Sequence, residues 1–186
     1  MRWLIISFLV YSLQIGSSET ASSTNKQVDL SQFFGSFVGQ TSDVKPRETK
    51  TRKLAVDIKA YGEDGFKVDW HTVMSKIDGR VKIRSSSIAF KPTRRIGIYA
   101  SAMKTDVFGN EVPLDPVSGD PFVWATLKDN ILHIHRLFIP DSGGYEFQSY
   151  KRSLNSEGLT IQFTRYRDGN RQTFEPALMK RKESAQ

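Results

Sequence analysis

Short stretches in which apolar and polar residues alternate make up most of the chain from residue 30 onward. Leu54, Val56 and Ile58, for example, occupy every second position of one such stretch. A period of two is typical of β-strands with one buried face, and the Gly, Pro, Asp and Asn residues between the stretches mark turns. The pattern predicts ten strands, at residues 33–40, 53–61, 66–74, 79–90, 96–101, 121–128, 131–139, 145–154, 158–167 and 171–179.

The connections between these strands are mostly short, so strands that are neighbours in sequence are expected to pair antiparallel. An open sheet of this size would expose two long edges, and closure into a barrel removes them. We therefore predict an all-β fold, a single antiparallel up-and-down barrel of about 8–10 strands. The one helical feature expected is a short turn around Leu30 to Phe34, capped by Asp29 or Ser31. Charges on the polar face of nearly every strand indicate a soluble barrel, not a lipid-facing one.

The first residues have the layout of a secretory signal peptide. Arg2 precedes an apolar run from Trp3 to Leu13, and small residues follow, with a cleavage site expected after Ser18. The run is too short to span a bilayer. We therefore expect a secreted or periplasmic protein, organised as a signal peptide (1–18), a flexible arm (19–29), the barrel domain (30–182) and a short tail (183–186).

Composition narrows the chemistry that the chain can perform. Lys and Arg total 27 against 20 Asp and Glu, which gives a net charge of +7. The absence of cysteine excludes disulfides, thiolate metal ligands and a cysteine nucleophile. No acid–base pair suited to catalysis stands out and no cofactor is predicted, so an enzyme has less support than a binding or structural protein.

A resemblance to a known family rests on the beginning of the first strand. Gly35-x-Phe37 stands where lipocalins carry a Gly-x-Trp motif, with Phe in place of Trp. Together with export and a meander of strands, this makes the chain resemble the lipocalin and wider calycin barrels. The resemblance implies an up-and-down barrel that holds a small ligand in an apolar cavity.

Aromatic residues on the predicted inner faces of the strands are candidates to line such a cavity. We interpret the alternation as placing Trp70 and Trp124 on the core faces of their strands. The candidate ligand-binding residues are Phe66, Trp70, Tyr99, Trp124, Phe147 and Phe163.

Residues 106–121 lack a strand pattern and contain four acidic residues and three prolines. Long connections without secondary structure are often functional. One interpretation is a lid whose Phe108 and Leu114 cover the barrel mouth. The alternatives are a calcium loop, since carboxylates and carbonyls are calcium ligands, and an ordinary packed surface loop.

His133 and His135 lie two positions apart and therefore share one face of a strand. With His71 they are the three histidines of the chain, and three imidazoles are sufficient to bind zinc or copper. The alternation favours Leu132 and Ile134 as the core residues instead. The histidines are then a solvent-side or hydrogen-bonded pair, and a metal site remains the alternative.

Basic residues form a further candidate surface. Arg80, Lys82 and Arg84 alternate with Val81 and Ile83, which predicts an outward basic stripe. Such a stripe could contact an anionic envelope surface or polysaccharide. Export argues against a nucleic-acid partner, although bases and aromatics do alternate late in the chain.

The sequence is therefore compatible with two functions. The first is an exported soluble barrel that binds a small apolar or amphiphilic ligand in its interior. The alternative is an envelope structural or partner-binding protein, with a packed barrel and the basic stripe as its contact face.

Overall fold

The computed structural model of the chain describes residues 29–41, 49–105, 108, 111–112 and 114–183. In this part of the chain there are one 3-10 helix, Leu30–Phe33, and thirteen strands. The strands are β1 (Gly35–Thr41), β2 (Thr49–Tyr61), β3 (Gly65–Lys76), β4 (Val81–Pro92), β5 (Ile98–Ser101), β6 (Lys104–Thr105), β7 (Glu111–Val112), β8 (Phe122–Lys128), β9 (Ile131–Phe138), β10 (Glu146–Leu154), β11 (Gly158–Arg167), β12 (Asn170–Thr173) and β13 (Ala177–Arg181).

Ten strands form a closed antiparallel barrel. Around the barrel the order is β1, β2, β3, β4, β5, β8, β9, β10, β11 and β13, and β13 pairs with β1 to complete the ring. Strands β6 and β7 form a separate two-stranded ladder, and β12 pairs with β11. The predicted all-β up-and-down barrel is confirmed.

Two-residue turns set the register of two hairpins. Asp129 and Asn130, which connect β8 to β9, have φ angles of 52° and 59°. Asp168 and Gly169, which connect β11 to β12, have φ angles of 47° and 82°. Positive φ at both central residues is the backbone of a type I′ turn, whose twist matches that of the strands it joins.

The strand predicted at 171–179 is interrupted. Its two parts, β12 and β13, both pair with β11, along Thr164–Arg167 and Gly158–Ile161 respectively. Pro176 lies between them and has no N–H to donate to a ladder. The Phe174 N–H still bonds the Phe163 carbonyl at 3.1 Å, so the chain stays beside β11 through the interruption.

One end of the barrel, which we call the closed end, is covered by the 3-10 helix. Asp29 caps this helix by accepting from the Ser31 N–H at 2.9 Å, and Phe33 of the helix is fully buried. The buried apolar core is concentrated here; its largest fully buried side chains include Phe33, Phe37, Phe66, Phe90, Ile58, Leu132 and Leu159. The opposite end, where β10 begins and β9 ends, is called the far end.

The register shows which face of each strand points inward, and it corrects the interpretation of Trp124. On β8, Val123, Ala125 and Leu127 are buried, while Trp124 is directly opposite His135 on the outer face. The alternation could not decide between the faces because both faces of β8 carry apolar residues. The small side chain of Ala125 leaves room inside for Tyr99, which is its direct partner on β5.

The predicted outward basic stripe on β4 is likewise reversed. Val81 and Ile83 are 60% and 67% exposed on the outer face. Lys82 and Arg84 lie on the face that carries Ile88 and Phe90 farther along the strand. This half of β4 pairs with β3, whereas β5 pairs with β4 only at Phe90 to Pro92. Because the first part of β4 has a paired strand on one side only among the described residues, its apolar side chains need not point into the barrel.

The predicted signal peptide (1–18) and most of the predicted arm (19–29) lie outside the described residues, as does the end of the predicted tail (183–186). Cleavage and export therefore remain predictions. Within the ranges that the structure describes, no helix is long and apolar enough to cross a membrane.

Candidate ligand-binding site in the barrel lumen

Inward-facing side chains at the closed end form a packed floor. Phe66 and Phe90 stack with ring centres 4.7 Å apart, and Tyr99 meets Phe66 edge-on at 5.2 Å. Phe66, Phe90 and their neighbour Val68 are completely buried. This part of the interior is a hydrophobic core and not a space for a ligand.

Toward the far end, inward side chains become half-buried. Trp70 lies on the same face of β3 as Phe66 and Val68, yet it remains partly accessible. Tyr150 and Phe163 stack across β10 and β11 at 4.7 Å, and both are partly accessible as well. An inward side chain in a closed barrel reaches solvent through the lumen. The interior therefore has a fully buried apolar floor at the closed end and half-buried inward side chains above it.

The upper part of the lumen is strongly basic. The inward positions that are buried or half-buried carry four arginines, contributed by four strands: Arg52, Arg136, Arg152 and Arg165. Each assignment follows from register, because Arg152 is opposite Leu132 and Ile161, and Arg136 and Arg165 are both opposite Gln148. An interior with this many cations needs water or anions to balance them.

The one buried carboxylate in the described core already has partners. Glu146 is 5% exposed and accepts a hydrogen bond of 2.6 Å from the Gln148 amide. Gln148 in turn accepts from the Tyr150 hydroxyl at 3.1 Å. The second carboxylate oxygen of Glu146 lies 3.6 Å from Arg167 Nε. This chain of contacts fixes the side chains along β10 and leaves Glu146 engaged near the far end.

Arg152 is the least expected residue of the lumen. It is 3% exposed, and its Nη1 donates to the Tyr150 carbonyl at 3.3 Å. Its guanidinium carbon lies 5.6 Å from the centre of the Tyr150 ring, and its Nε is buried without a hydrogen-bond partner in the structure. No carboxylate of the described residues forms an ion pair with it. Burial lowers the pKa of Arg152 to about 10, so the group is still charged at neutral pH.

Three of the four arginines influence the pKa of the same group, the Tyr150 hydroxyl. Burial raises the pKa of Tyr150; Arg152, Arg136 and Arg52 oppose that rise through their positive charge, and the Glu146 carboxylate adds to it. A cation influences a titrating group in this way only when the two are close. Three guanidinium charges from β2, β9 and β10 therefore influence Tyr150, and that of Arg152 is the one in contact with its ring.

The residues predicted to line the cavity divide between the two faces of the barrel. Phe66, Trp70, Tyr99 and Phe163 point inward, with Phe66 in the packed floor and Trp70 and Phe163 in the accessible part. Trp124 and Phe147 lie on the outer face. The lumen arginines were not predicted as site residues. The available signal was that Tyr150 and Arg152, like Phe163 and Arg165, lie two apart and so share a face.

Trp124 and Phe147 belong to a row of rings on the outside of the barrel. Trp124, His135, Phe147 and Tyr166 follow one another across β8 to β11, with centres 5.0, 5.6 and 5.8 Å apart. His133 stacks on His135 at 5.5 Å. Ring pairs of this kind stabilise neighbouring strands.

The histidines were predicted to lie on the solvent side or in a polar setting. His133 and His135 are on the outer face but half-buried among the rings. Burial, together with His133, lowers the pKa of His135 to about 4. Burial, followed by the charges of Lys151 and Arg152, lowers the pKa of His133. His71 is exposed and bonds Ser85 Oγ at 2.9 Å. Among the described residues no cluster of three or more metal-ligating side chains occurs.

The segment predicted as a lid is partly structured. β6 pairs with β7, and Lys104 forms an ion pair with Asp120. Asp115 accepts from the Val117 N–H at 3.0 Å and from Ser118 Oγ at 2.6 Å. Phe108 is 86% exposed and Leu114 is half-buried, while residues 106–107, 109–110 and 113 lie outside the described part. Lid closure remains a prediction.

A concave feature lies at the closed end, outside the packed floor. This groove has a volume of about 680 Å³ and lies between the 3-10 helix, the turn after β2 and the turn after β4. Its lining mixes acidic side chains, including Asp29 and Asp64, with apolar ones such as Leu30 and Ile96. No buried polar group of the described lining points into it without a partner, which distinguishes it from the lumen.

Comparison of the chain with protein-family models, with curated proteins and with solved structures found no match. The fold itself, a closed antiparallel barrel of ten strands, is consistent with a calycin-like architecture.

Proposed function

We propose that this protein binds a small amphiphilic molecule in the upper lumen of its barrel. The observation that supports this best is the change along the inward faces, from fully buried side chains at the floor to half-buried Trp70, Tyr150 and Phe163 above it. Ligand sites are typically preformed concavities lined by aromatic side chains with a few polar groups. A barrel that served only as a structural element would have no need of polar inward residues such as Arg152 and Gln148.

The resemblance of the chain to lipocalins is part of this proposal. Phe37, at the motif position Gly35-x-Phe37, is fully buried on the inner face of the first strand, next to the 3-10 helix at the closed end. A barrel closed at one end and accessible above its floor has the shape that a carrier of small molecules requires. Export to the periplasm or the medium is the setting proposed for this carrier, on the basis of the first eighteen residues.

The alternative, a packed barrel with a basic contact face, has less support. It relied on an outward stripe, but Lys82 and Arg84 lie on the opposite face from Val81 and Ile83. Arg80 is exposed, yet it forms an ion pair of 2.6 Å with Asp78, which reduces its availability to an anionic surface.

The direct test is ligand capture by the full-length chain, purified as the cell processes it. Native mass spectrometry should reveal a co-purifying small molecule, and an environment-sensitive apolar dye should bind saturably at one site. Trp70→Ala should weaken dye binding, whereas Trp124→Ala, the matched change on the outer face, should leave the affinity unchanged. Absence of saturable binding in the wild-type protein would overturn the proposal.

A further inference from the structure

The feature that carries an inference beyond amphiphile binding is the buried charge of Arg152. A guanidinium removed from water needs a counter-charge or a full set of hydrogen bonds. The Arg152 guanidinium donates one hydrogen bond, to the Tyr150 carbonyl, and its Nε has no partner in the structure. Its side chain therefore retains donors for a group that the chain does not provide among its described residues.

The chain's own buried carboxylate cannot serve this role. Glu146 lies six residues from Arg152 on β10, which corresponds to about 20 Å along an extended strand. Glu146 is also engaged by Gln148 and lies near Arg167. A counter-charge for Arg152 must therefore come from outside this network.

The neighbouring cations define where such a group would lie. Tyr150 is opposite Ile134 on β9, and Ile134 lies midway between Leu132, the residue opposite Arg152, and Arg136 itself. The Arg152 guanidinium contacts the Tyr150 ring, whereas the Arg136 guanidinium lies over the Phe138 ring at 4.7 Å, on the far-end side of Tyr150. The charge of Arg52 also influences Tyr150, from β2 on another wall of the barrel.

From this arrangement, and resting on the proposed function, we infer that the ligand is an anionic amphiphile whose carboxylate or phosphate head group lies beside Tyr150, bound by Arg152 and further stabilised by the positive charge of Arg136. Arginine suits such a head group because its planar donors match two oxygens at once. The floor below is filled by Phe66 and Phe90, so the ligand enters head first and its apolar tail extends along Trp70 toward the far end.

The experiment compares ligands that share one tail and differ in the head group. Calorimetric titrations of the full-length protein would use dodecanoate, dodecyl phosphate, dodecanol and dodecyltrimethylammonium, with inorganic phosphate as a tail-free anion. The two anionic amphiphiles should bind one per chain and about tenfold or more tighter than the alcohol, as expected for a charge-assisted contact. The preference between them identifies which head group the site takes.

Substitutions then identify the residues that bind the head group. Arg152→Gln should weaken dodecanoate binding about tenfold and leave dodecanol binding nearly unchanged. Lys151→Gln removes the same charge from the outward neighbour on the same strand and should change neither. If Arg152→Gln does not fold, Arg136→Gln provides a second test of head-group binding, because Arg136 is only half-buried.

The outcomes separate this inference from the proposed function. Equal affinity for dodecanoate and dodecanol would overturn the anionic head group and leave an amphiphile-binding lumen in place. No binding of any tailed compound would overturn both. Binding of inorganic phosphate as tight as that of dodecyl phosphate would show a plain anion site and contradict the amphiphilic ligand.

Discussion

The guanidinium carbon of Arg181 lies 4.6 Å from the centre of the Phe37 ring, so a residue of the last strand covers an aromatic residue of the first. The same side chain donates to the Phe34 carbonyl at 2.5 Å and to the Gln32 carbonyl at 3.1 Å. One arginine thus connects β13, β1 and the 3-10 helix. It closes the barrel and holds the helix over the floor.

Arg181→Ala should lower the free energy of unfolding by about 2 to 3 kcal/mol, because it removes one cation–π contact and two charge-assisted hydrogen bonds. Urea titration of the variant measures this. Lys180→Ala, a change at the adjacent exposed and outward position, is the control and should cost much less. If the two variants lose the same small amount, the closing role assigned to Arg181 is wrong.

Trp70 and Trp124 should report differently on ligand binding, because Trp70 faces the lumen and Trp124 stacks on His135 outside it. We expect dodecanoate to change the tryptophan fluorescence of the wild-type protein in a saturable manner. Trp70→Phe should abolish that change, whereas Trp124→Phe should retain it. A signal that disappears with Trp124 instead would place the ligand on the outer face.

His135 should make the stability of the fold depend on acidity. Its pKa is lowered to about 4 in the folded protein, by burial and then by His133, against an ordinary value of 6.5. Between these values the unfolded chain binds more protons than the folded one, so the free energy of unfolding falls as the pH falls through this window. Above about pH 6.5, where both states are neutral, this loss is absent.

His135→Phe keeps an aromatic ring in the row but cannot be protonated. Its midpoint of thermal unfolding should therefore decrease less than that of the wild-type protein between pH 7 and pH 4.5. Phe122→Leu changes the end of the same row, at a residue whose ring contacts Trp124, and should retain the wild-type slope. Identical slopes for the wild type and His135→Phe would contradict the assignment of this pH dependence to His135.

The strands and turns could be predicted because their signals are local. Asp129-Asn130 and Asp168-Gly169 favour the positive φ angles that a two-residue hairpin requires, and alternation marks the strands on either side. Closure also followed from the sequence, since long unpaired edges are avoided in stable sheets. The tenth strand was predicted at the correct position, but as one continuous strand. Pro176 divides it into β12 and β13.

The faces of the strands, and with them the site, could not be predicted equally well. On β8 both faces are apolar, so only the pairing with β5 and β9 shows that Ala125 points inward and Trp124 outward. Arg152 was missed for a related reason. Arginine is rarely buried, so the composition of a strand favours placing it outside. Its inward position follows from long-range register against Leu132 and Ile161.

The buried position of Arg152 leads to an unusual expectation for stability. Replacing a buried charge by an apolar side chain of similar length is often neutral or stabilising by about 1 to 4 kcal/mol, because the charge no longer has to be removed from water. In the ligand-free protein Arg152→Met should therefore unfold at the same urea concentration as the wild type or at a higher one. Lys151→Met, on the outer face of the same strand, should change little and controls for loss of charge alone.

An anionic ligand should reverse that order. Dodecanoate at a hundredfold excess over its dissociation constant should stabilise the wild-type protein by about 2.7 kcal/mol, since it binds the folded state only. Arg152→Met should gain much less, so the two urea curves should approach or cross when the ligand is added. A ligand-free Arg152→Met that is strongly destabilised would instead show that the Arg152 contacts with Tyr150 are structural. A variant stabilised by dodecanoate as much as the wild type would show that the head group lies elsewhere in the lumen.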